Sequence, residues 1–436
     1  MNGRRGFLQS VLAGTGMMAS AKLLSAHEME MPAGAENKKT RDINEAIESG
    51  PVHALPVLVE TPDVPDLPYR MDRNVKEFHL IAEPVKQEIV PGRIVNLWGY
   101  NGSAPGPTIQ VVNGDRVRII VDNHLPEATA MHWHGFEIPI DMDGAPGSSQ
   151  DPIAPGERFV YEFTLHQDGT YFYHSHMAMQ EMMGMIGAFI MHPRETYKPR
   201  VAKDFVVVMQ EYAILPNNTV PNSMSMEFNW LTFNGKSGPA TTPLIVRQGD
   251  RIRIRLINLG MDHHPIHLHG HQFVITGTEA GRQPASNWGP QNTALVGVAQ
   301  ARDLEFEANN PGDWMMHCHM PHHMMNHMSS NVGPLSRGLE MPHGGVAMPD
   351  VSKNANSVPG FPQDALMEGP MMAMDKMMEK PENYGLRPGW SGFMAGMMTF
   401  VRVLPPGKYD EIMELREKQR DKRPASDMPE MKDSHE

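Results

Sequence analysis

The 436-residue chain has a single cysteine, Cys318, so no disulfide can form within it in any redox compartment. Positive charge is scarce: 38 Lys and Arg against 51 Asp and Glu leave a formal net charge of −13 at pH 7. That balance argues against nucleic acid and anionic membrane as partners and favours cations. Past the N-terminus no apolar run is long enough to cross a bilayer, so no membrane span is expected. Methionine is what the chain has in excess, 38 residues, as many as proline.

The first 26 residues read as an export signal. Arg4-Arg5-Gly6-Phe7-Leu8 is a twin-arginine pattern, and a weakly apolar run from Ser10 to Ala21 follows it. A periplasmic or extracytoplasmic protein is the expectation. Residues 27–74 are rich in Pro, Glu and Ala with little periodicity and read as a linker or arm. From there short β-like runs alternate with turn clusters such as Asp143-Gly144-Ala145-Pro146-Gly147. Phe159, Tyr161, Phe163 and Leu165 alternate with polar residues, as a half-buried strand requires. Many short strands at this spacing predict an all-β sandwich or barrel.

The chain repeats itself. Gly114-Asp115-Arg116-Val117-Arg118-Ile119 recurs as Gly249-Asp250-Arg251-Ile252-Arg253-Ile254, an offset of 135. At the same offset His132-Trp133-His134-Gly135 meets His267-Leu268-His269-Gly270. Tyr173-His174-Ser175-His176-Met177 matches Met316-His317-Cys318-His319-Met320 at an offset of 143. Two homologous β-domains are therefore expected, at 75–197 and 203–404. The first closes with Gly184-Met185-Ile186-Gly187, directly after its histidines. The best match in the second is Gly396-Met397-Met398-Thr399, which makes 329–393 a Met-rich insertion. Residues 405–436 are read as a tail, helical over Lys408 to Arg420 and then charged.

Side chains alternate across a strand, so Cys318 points to one face while His317 and His319 point to the other. Cys with two His and a weak axial Met is the donor set of a blue-copper site. His323 and Met328 follow in the same segment. His264 precedes His267 by three residues, an odd step, so it faces away from His267 and His269, towards the cysteine side. The mononuclear set is then His264, Cys318, His323 and Met328. Eight imidazoles remain, at His132, His134, His174, His176, His267, His269, His317 and His319, enough for three further metal ions. In the first domain the positions matching His264, Cys318 and His323 are Thr129, Ser175 and Gln180, so it should lack a mononuclear site.

These four histidine motifs resemble those of the multicopper oxidases, and the resemblance spans both domains. It implies two tandem cupredoxin-like Greek-key β-sandwiches and four coppers. His264, Cys318, His323 and Met328 match the type 1 ligands, and His132 and His267 match the type 2 ligands. His134, His174, His176, His269, His317 and His319 match the ligands of the type 3 pair. Asp143 matches an acid that supplies protons near the trinuclear cluster. The implied reaction is one-electron oxidation of a reducing substrate at type 1, coupled to four-electron reduction of O2 to water, with Cys318 on the electron route. Two-domain relatives form homotrimers with the cluster between subunits, and that assembly is the expectation here. The Met-rich stretches around residues 177–185, 315–325 and 371–398 suggest Cu(I) as the reductant, because thioethers are soft ligands. Small phenolic donors are the other candidate. A non-enzymatic copper-sequestering protein is the alternative of a different class.

Overall fold

The computed structural model describes residues 56–177, 179–214, 218–226, 228–324 and 374–421. The proposed signal at 1–26, most of the arm, Met328, and residues 325–373 and 422–436 lie outside the described residues. Four sheets form two sandwiches. In the first, Tyr69–Asp72, Val75–Val90, Arg116–Asn123 and Arg158–Thr164 run side by side, with Arg93–Tyr100 paired to Val75–Val90. The facing sheet orders Gly106–Val112, Ile186–His192, Gly169–Ser175 and Met131–His134. Val117, Ile119, Tyr161, Trp133, Tyr171 and Phe189 meet between them as one core. Arg116–Asn123 shows why: every second residue is buried, so one face is wet and one is packed.

The second sandwich repeats the first. Its inner core takes Ile252, Ile254 and Leu304 from one sheet and Ile266, Met316, Cys318 and Val401 from the other. The closing strand, Met398–Leu404, pairs His317 with Met398. The first domain pairs His174 with Ile186 in the same way. The next strands also agree, with Val111 opposite Met191 and Val246 opposite Val403. The architecture is all-β, two tandem cupredoxin-like sandwiches, with one sixteen-residue helix at Pro406–Asp421.

Two segments depart from expectation. Residues 56–74 were expected within the arm, yet they are folded: Val59 and Leu67 are buried and Tyr69–Asp72 is an edge strand. Two buried apolar side chains and bridges from Glu60 to Phe205 and Asp66 to Thr108 hold this stretch, too few to give a periodic signal. Within the insertion, residues 374–393 pack against the second domain rather than leaving it. Leu386 and Trp390 join Met315, Met394, Met398 and Phe400 on its outer face.

The two domains stack through shared apolar clusters, one of which packs Val90, Val95 and Leu97 of the first domain against Tyr212, Trp230 and Met378 of the second. Phe172, Ile186, Ala188 and Ile190, on the outer face of the first domain's histidine sheet, meet Val206, Val208, Ile257 and Leu259 of the second. Thr170 reaches across to Asp303 at 2.5 Å and accepts from Arg255 at 2.7 Å.

Candidate metal centres

The strand Gly312–Cys318 and the strand His264–Leu268 lie antiparallel, with Ile266 opposite Cys318 and His267 opposite His317. This register puts His264 and Cys318 on the inner face and His267 and His317 on the outer one. A turn after Cys318 returns His323 to the inner side. His264 Nδ1, His323 Nδ1 and Cys318 Sγ then form a triangle with edges of 3.2, 3.5 and 3.7 Å. All three side chains are buried. Donors about 2.0–2.3 Å from one metal ion in a trigonal plane stand about 3.5–4 Å apart, so the triangle has the size of such a site. Burial pushes the Cys318 thiol up to about 12. A thiolate therefore requires a cation against it, which a soft metal ion provides.

Sequence reasoning missed the groups behind this triangle. His264 Nε2 stands 3.2 Å from Glu211 Oε2, and His323 Nε2 stands 3.3 Å from Asp262 Oδ2. Asp262 could have been found from the repeat, because Glu127 holds the same place at offset 135 and bonds Gln180 at 2.9 Å. Glu211 belongs to no motif. Met397 is fully buried in the cluster that contains Cys318. Cys318 N–H donates to Met397 O at 3.0 Å, and Met397 N–H donates to His323 O at 3.1 Å.

The remaining eight histidines fall into two quartets of matching build. In the first domain His132 and His134 are half-buried, His174 is buried and His176 is exposed; His267, His269, His317 and His319 repeat that series. His134 Nδ1 stands 3.3 Å from His174 Nε2, and His269 Nε2 stands 3.0 Å from His317 Nε2. Backbone carbonyls orient the rings from behind. His132 Nδ1 donates to Asp143 O at 2.8 Å, His267 Nδ1 to Asn292 O at 2.7 Å and His317 Nδ1 to Cys318 O at 2.9 Å. Each such bond leaves Nε2 with its lone pair free for a metal. Burial lowers His134 and His317 to about 4, so both are neutral donors at neutral pH. Asp143 Oδ1 lies 3.6 Å from His132 Nδ1, a carboxyl at the rim of the first quartet. Among the described residues no ring contact joins one quartet to the other. One chain thus brings together two half-sets of four, and does not join them.

The comparisons agree with this donor set. Models of the multicopper oxidase family match residues 84–196 and 213–333. A blue copper oxidase from Nitrosomonas europaea is 32% identical, with a TM-score of 0.52, over 57% of this chain and 80% of that one. The chain belongs to the multicopper oxidases. Copper, the family's cofactor, suits donors of this kind: imidazole with one thiolate in the buried site, imidazole alone in the two quartets. Among curated proteins, a copper resistance protein A homolog of Pseudomonas syringae pv. tomato is 42% identical over 113 residues. That match is 26% of this chain and 19% of the relative. Copper resistance protein A of Escherichia coli is 36% identical over 134 residues, 31% of this chain and 22% of the relative. The matched stretches thus span about a fifth of these curated relatives. No helix among the described residues is long and apolar enough to cross a membrane.

Proposed function

We propose that the protein is an oxidase that takes electrons singly from a small reducing substrate and delivers four of them, with four protons, to O2, giving two waters. The observation that carries this reading is Cys318, whose side chain completes the buried triad while its chain neighbours His317 and His319 belong to the outer quartet. Bound at these donors, copper supplies one-electron redox chemistry in the triad and dioxygen reduction at the imidazole surface. His264, Cys318 and His323 would hold the type 1 ion, and His132 and His267 the type 2 ion. His134, His174, His176, His269, His317 and His319 would hold the type 3 pair. As the fourth residue that would hold the type 1 ion we favour Met397 over Met328. Met397 aligns with Met185 by strand register, and its backbone bonds both Cys318 and His323.

The residues themselves do three things. The peptide units joining Cys318 to His317 and His319 give electrons a covalent path between the two sites. The triad excludes water, since none of its members is exposed. Asp143, with 29% of its side chain accessible, can pass protons from solvent to the histidine quartet. Joining two half-sets of imidazoles takes a second copy of the chain, and a homotrimer with the cluster at each subunit interface satisfies that. A copper-loaded monomer retaining all four coppers would sink this assembly.

The reductant is Cu(I) or a small phenol. Met378, Met394 and Met398 are buried packing residues, so they are not docking ligands. Met377, Met179 and Met261 are exposed and remain available to a soft cation. The twin-arginine pattern supports export, where a role in copper tolerance would be exercised. Oxygen uptake by copper-loaded protein, with Cu(I) and with a phenol in turn, tests the reading. Uptake with at least one donor that vanishes in Cys318→Ser is expected. Replacing Met179, Met261 and Met377 together by Leu, which leaves the packed methionines in place, should impair Cu(I) oxidation selectively. No uptake with any donor would favour copper sequestration without catalysis.

A further inference from the structure

Behind the triad lies a carboxylate that the internal repeat does not predict. Glu211 is the next-to-last residue of the strand Lys203–Tyr212, and neither its side chain nor that of His264 is exposed. Its Oε2 stands 3.2 Å from His264 Nε2, and its Oε1 accepts the backbone N–H groups of Met261 and Asp262. The hydrogen-bond partners of this buried acid are thus the loop at Met261–Asp262 and the ring of His264.

The first domain supplies a comparison within the same molecule. Asn123 and Asn258 anchor equivalent loops. Each accepts the N–H two residues on, from Leu125 and Gly260 respectively. Each also donates to the carbonyl four residues on, Glu127 O and Asp262 O. The loops then diverge. Leu125 carries a buried side chain, whereas a Cβ at Gly260 would collide with the Glu211 carboxylate. By strand register Ala82 faces Asn123 and Met209 faces Asn258, so Glu211 aligns with Pro84. The side chain lost at 260 and the carboxylate gained at 211 occur together, and only in the domain with the His–Cys–His triad.

We infer that Glu211 is a positioning residue for the electron-accepting centre, an inference that rests on the triad holding copper. It keeps the proton of His264 on Nε2, so that Nδ1 presents its lone pair to the triad. It pins the Met261–Asp262 loop, from which Asp262 reaches His323. It also sets one fixed negative charge behind the centre in a water-free environment, where a charge acts strongly. An anion there favours the more positive, oxidised state and so lowers the reduction potential. Gly260 is the complementary vacancy that admits the carboxylate.

The test compares copper-loaded wild type with Glu211→Gln, which keeps the volume and removes the charge. The blue absorption is titrated against a mediator of known potential. The expected result is a shift of about tenfold towards the reduced form, about 59 mV upward for a one-electron couple. Gly260→Ala, which leaves Glu211 in the chain but displaces its carboxylate, should move the potential in the same direction. If Glu211→Gln fails to fold, this second variant decides alone. A merely structural acid would lower the unfolding temperature of the metal-free protein without moving the potential. Unchanged potentials in the folded variants, with the blue band intact, overturn the inference. Absence of any blue band in copper-loaded wild type would instead overturn the copper site on which it rests.

Discussion

Laid over one another, the two domains show how little separates a metal site from a polar plug. Where the second has His264, Cys318 and His323, the first has Thr129, Ser175 and Gln180, also buried. Thr129 and Ser175 donate to Gln180 Oε1 at 2.9 and 2.6 Å, and Gln180 Nε2 donates to Glu127 Oε1 and Ala128 O, both at 2.9 Å. Every polar group has a partner, so the pocket closes on itself without a cation. Met185 is buried beside it as Met397 is beside Cys318. The pocket belongs to the fold; what fills it differs between a hydrogen-bonded trio and the His–Cys–His triad.

A second pair of equivalent groups differs by burial rather than chemistry. Arg118 holds Glu77 and Glu162 in the first domain, and Arg253 holds Asp204 and Glu305 in the second. The first set is 14–26% accessible and the second at most 6%. The cause is the stacking of domains. The first domain's histidine sheet covers the sheet that carries Arg253 and Arg255, and Thr170 joins the network from across the boundary. The same ion pairs are surface decoration in one domain and interior structure in the other.

The sharpest way to break the first comparison is to turn the second domain into the first. Cys318→Ser, which copies Ser175, should abolish the blue absorption and reduce oxygen uptake to background. The converse is Thr129→His with Ser175→Cys and Gln180→His. With Met185 already in place, it should add one equivalent of blue copper per chain, read by metal analysis and absorption. Failure to gain it, in a folded variant, would show that more than the three side chains decides. Next in size, Asp204→Ala leaves Arg253 and Arg255 buried without their shared partner and should cost about 3–5 kcal/mol in denaturant unfolding. Glu77→Ala, the equivalent change on the surface, should cost only about 0–1 kcal/mol. Similar losses would contradict burial as the distinction.

The smallest effect is on pH. Burial alone would raise Glu305, yet Arg253 and Arg282 hold it down to about 2. A carboxylate depressed in the folded state gives stability that is complete above its ordinary value of 4.5 and lost as pH falls towards 2. Thermal unfolding should therefore weaken across that interval, and Glu305→Gln should flatten the dependence while lowering stability at pH 7.

Much of this was legible in the chain because strand alternation is rigid. His132 and His134 must share a face, and His264 must oppose His267, whatever the details of the sandwich. The duplication supplied the domain pattern and the register of the last strand. What stayed hidden depends on distance through space. Glu211 lies in a strand 53 residues before His264 and follows no spacing rule. For the fourth ligand of the triad the chain offers two candidates, Met328 by counting forward from Cys318 and Met397 by its match to Met185, and Met328 lies outside the described residues. The burial of Met378, Met394 and Met398 likewise follows from the path of residues 374–398, which composition cannot trace.

The closing strand has a consequence for how the molecule forms. Gln180 and Met185 are five residues apart, so the first domain completes its sheet by a local turn. His323 and Met397 must meet across 74 residues, which adds about 2 kcal/mol of closure entropy. Contacts of such separation form late and slowly. The first sandwich should thus be finished while the second still waits for its last strand. A bound metal that gripped His264, Cys318 and Met397 together would act as the latch of folding, making copper supply a determinant of how quickly the chain reaches its native state.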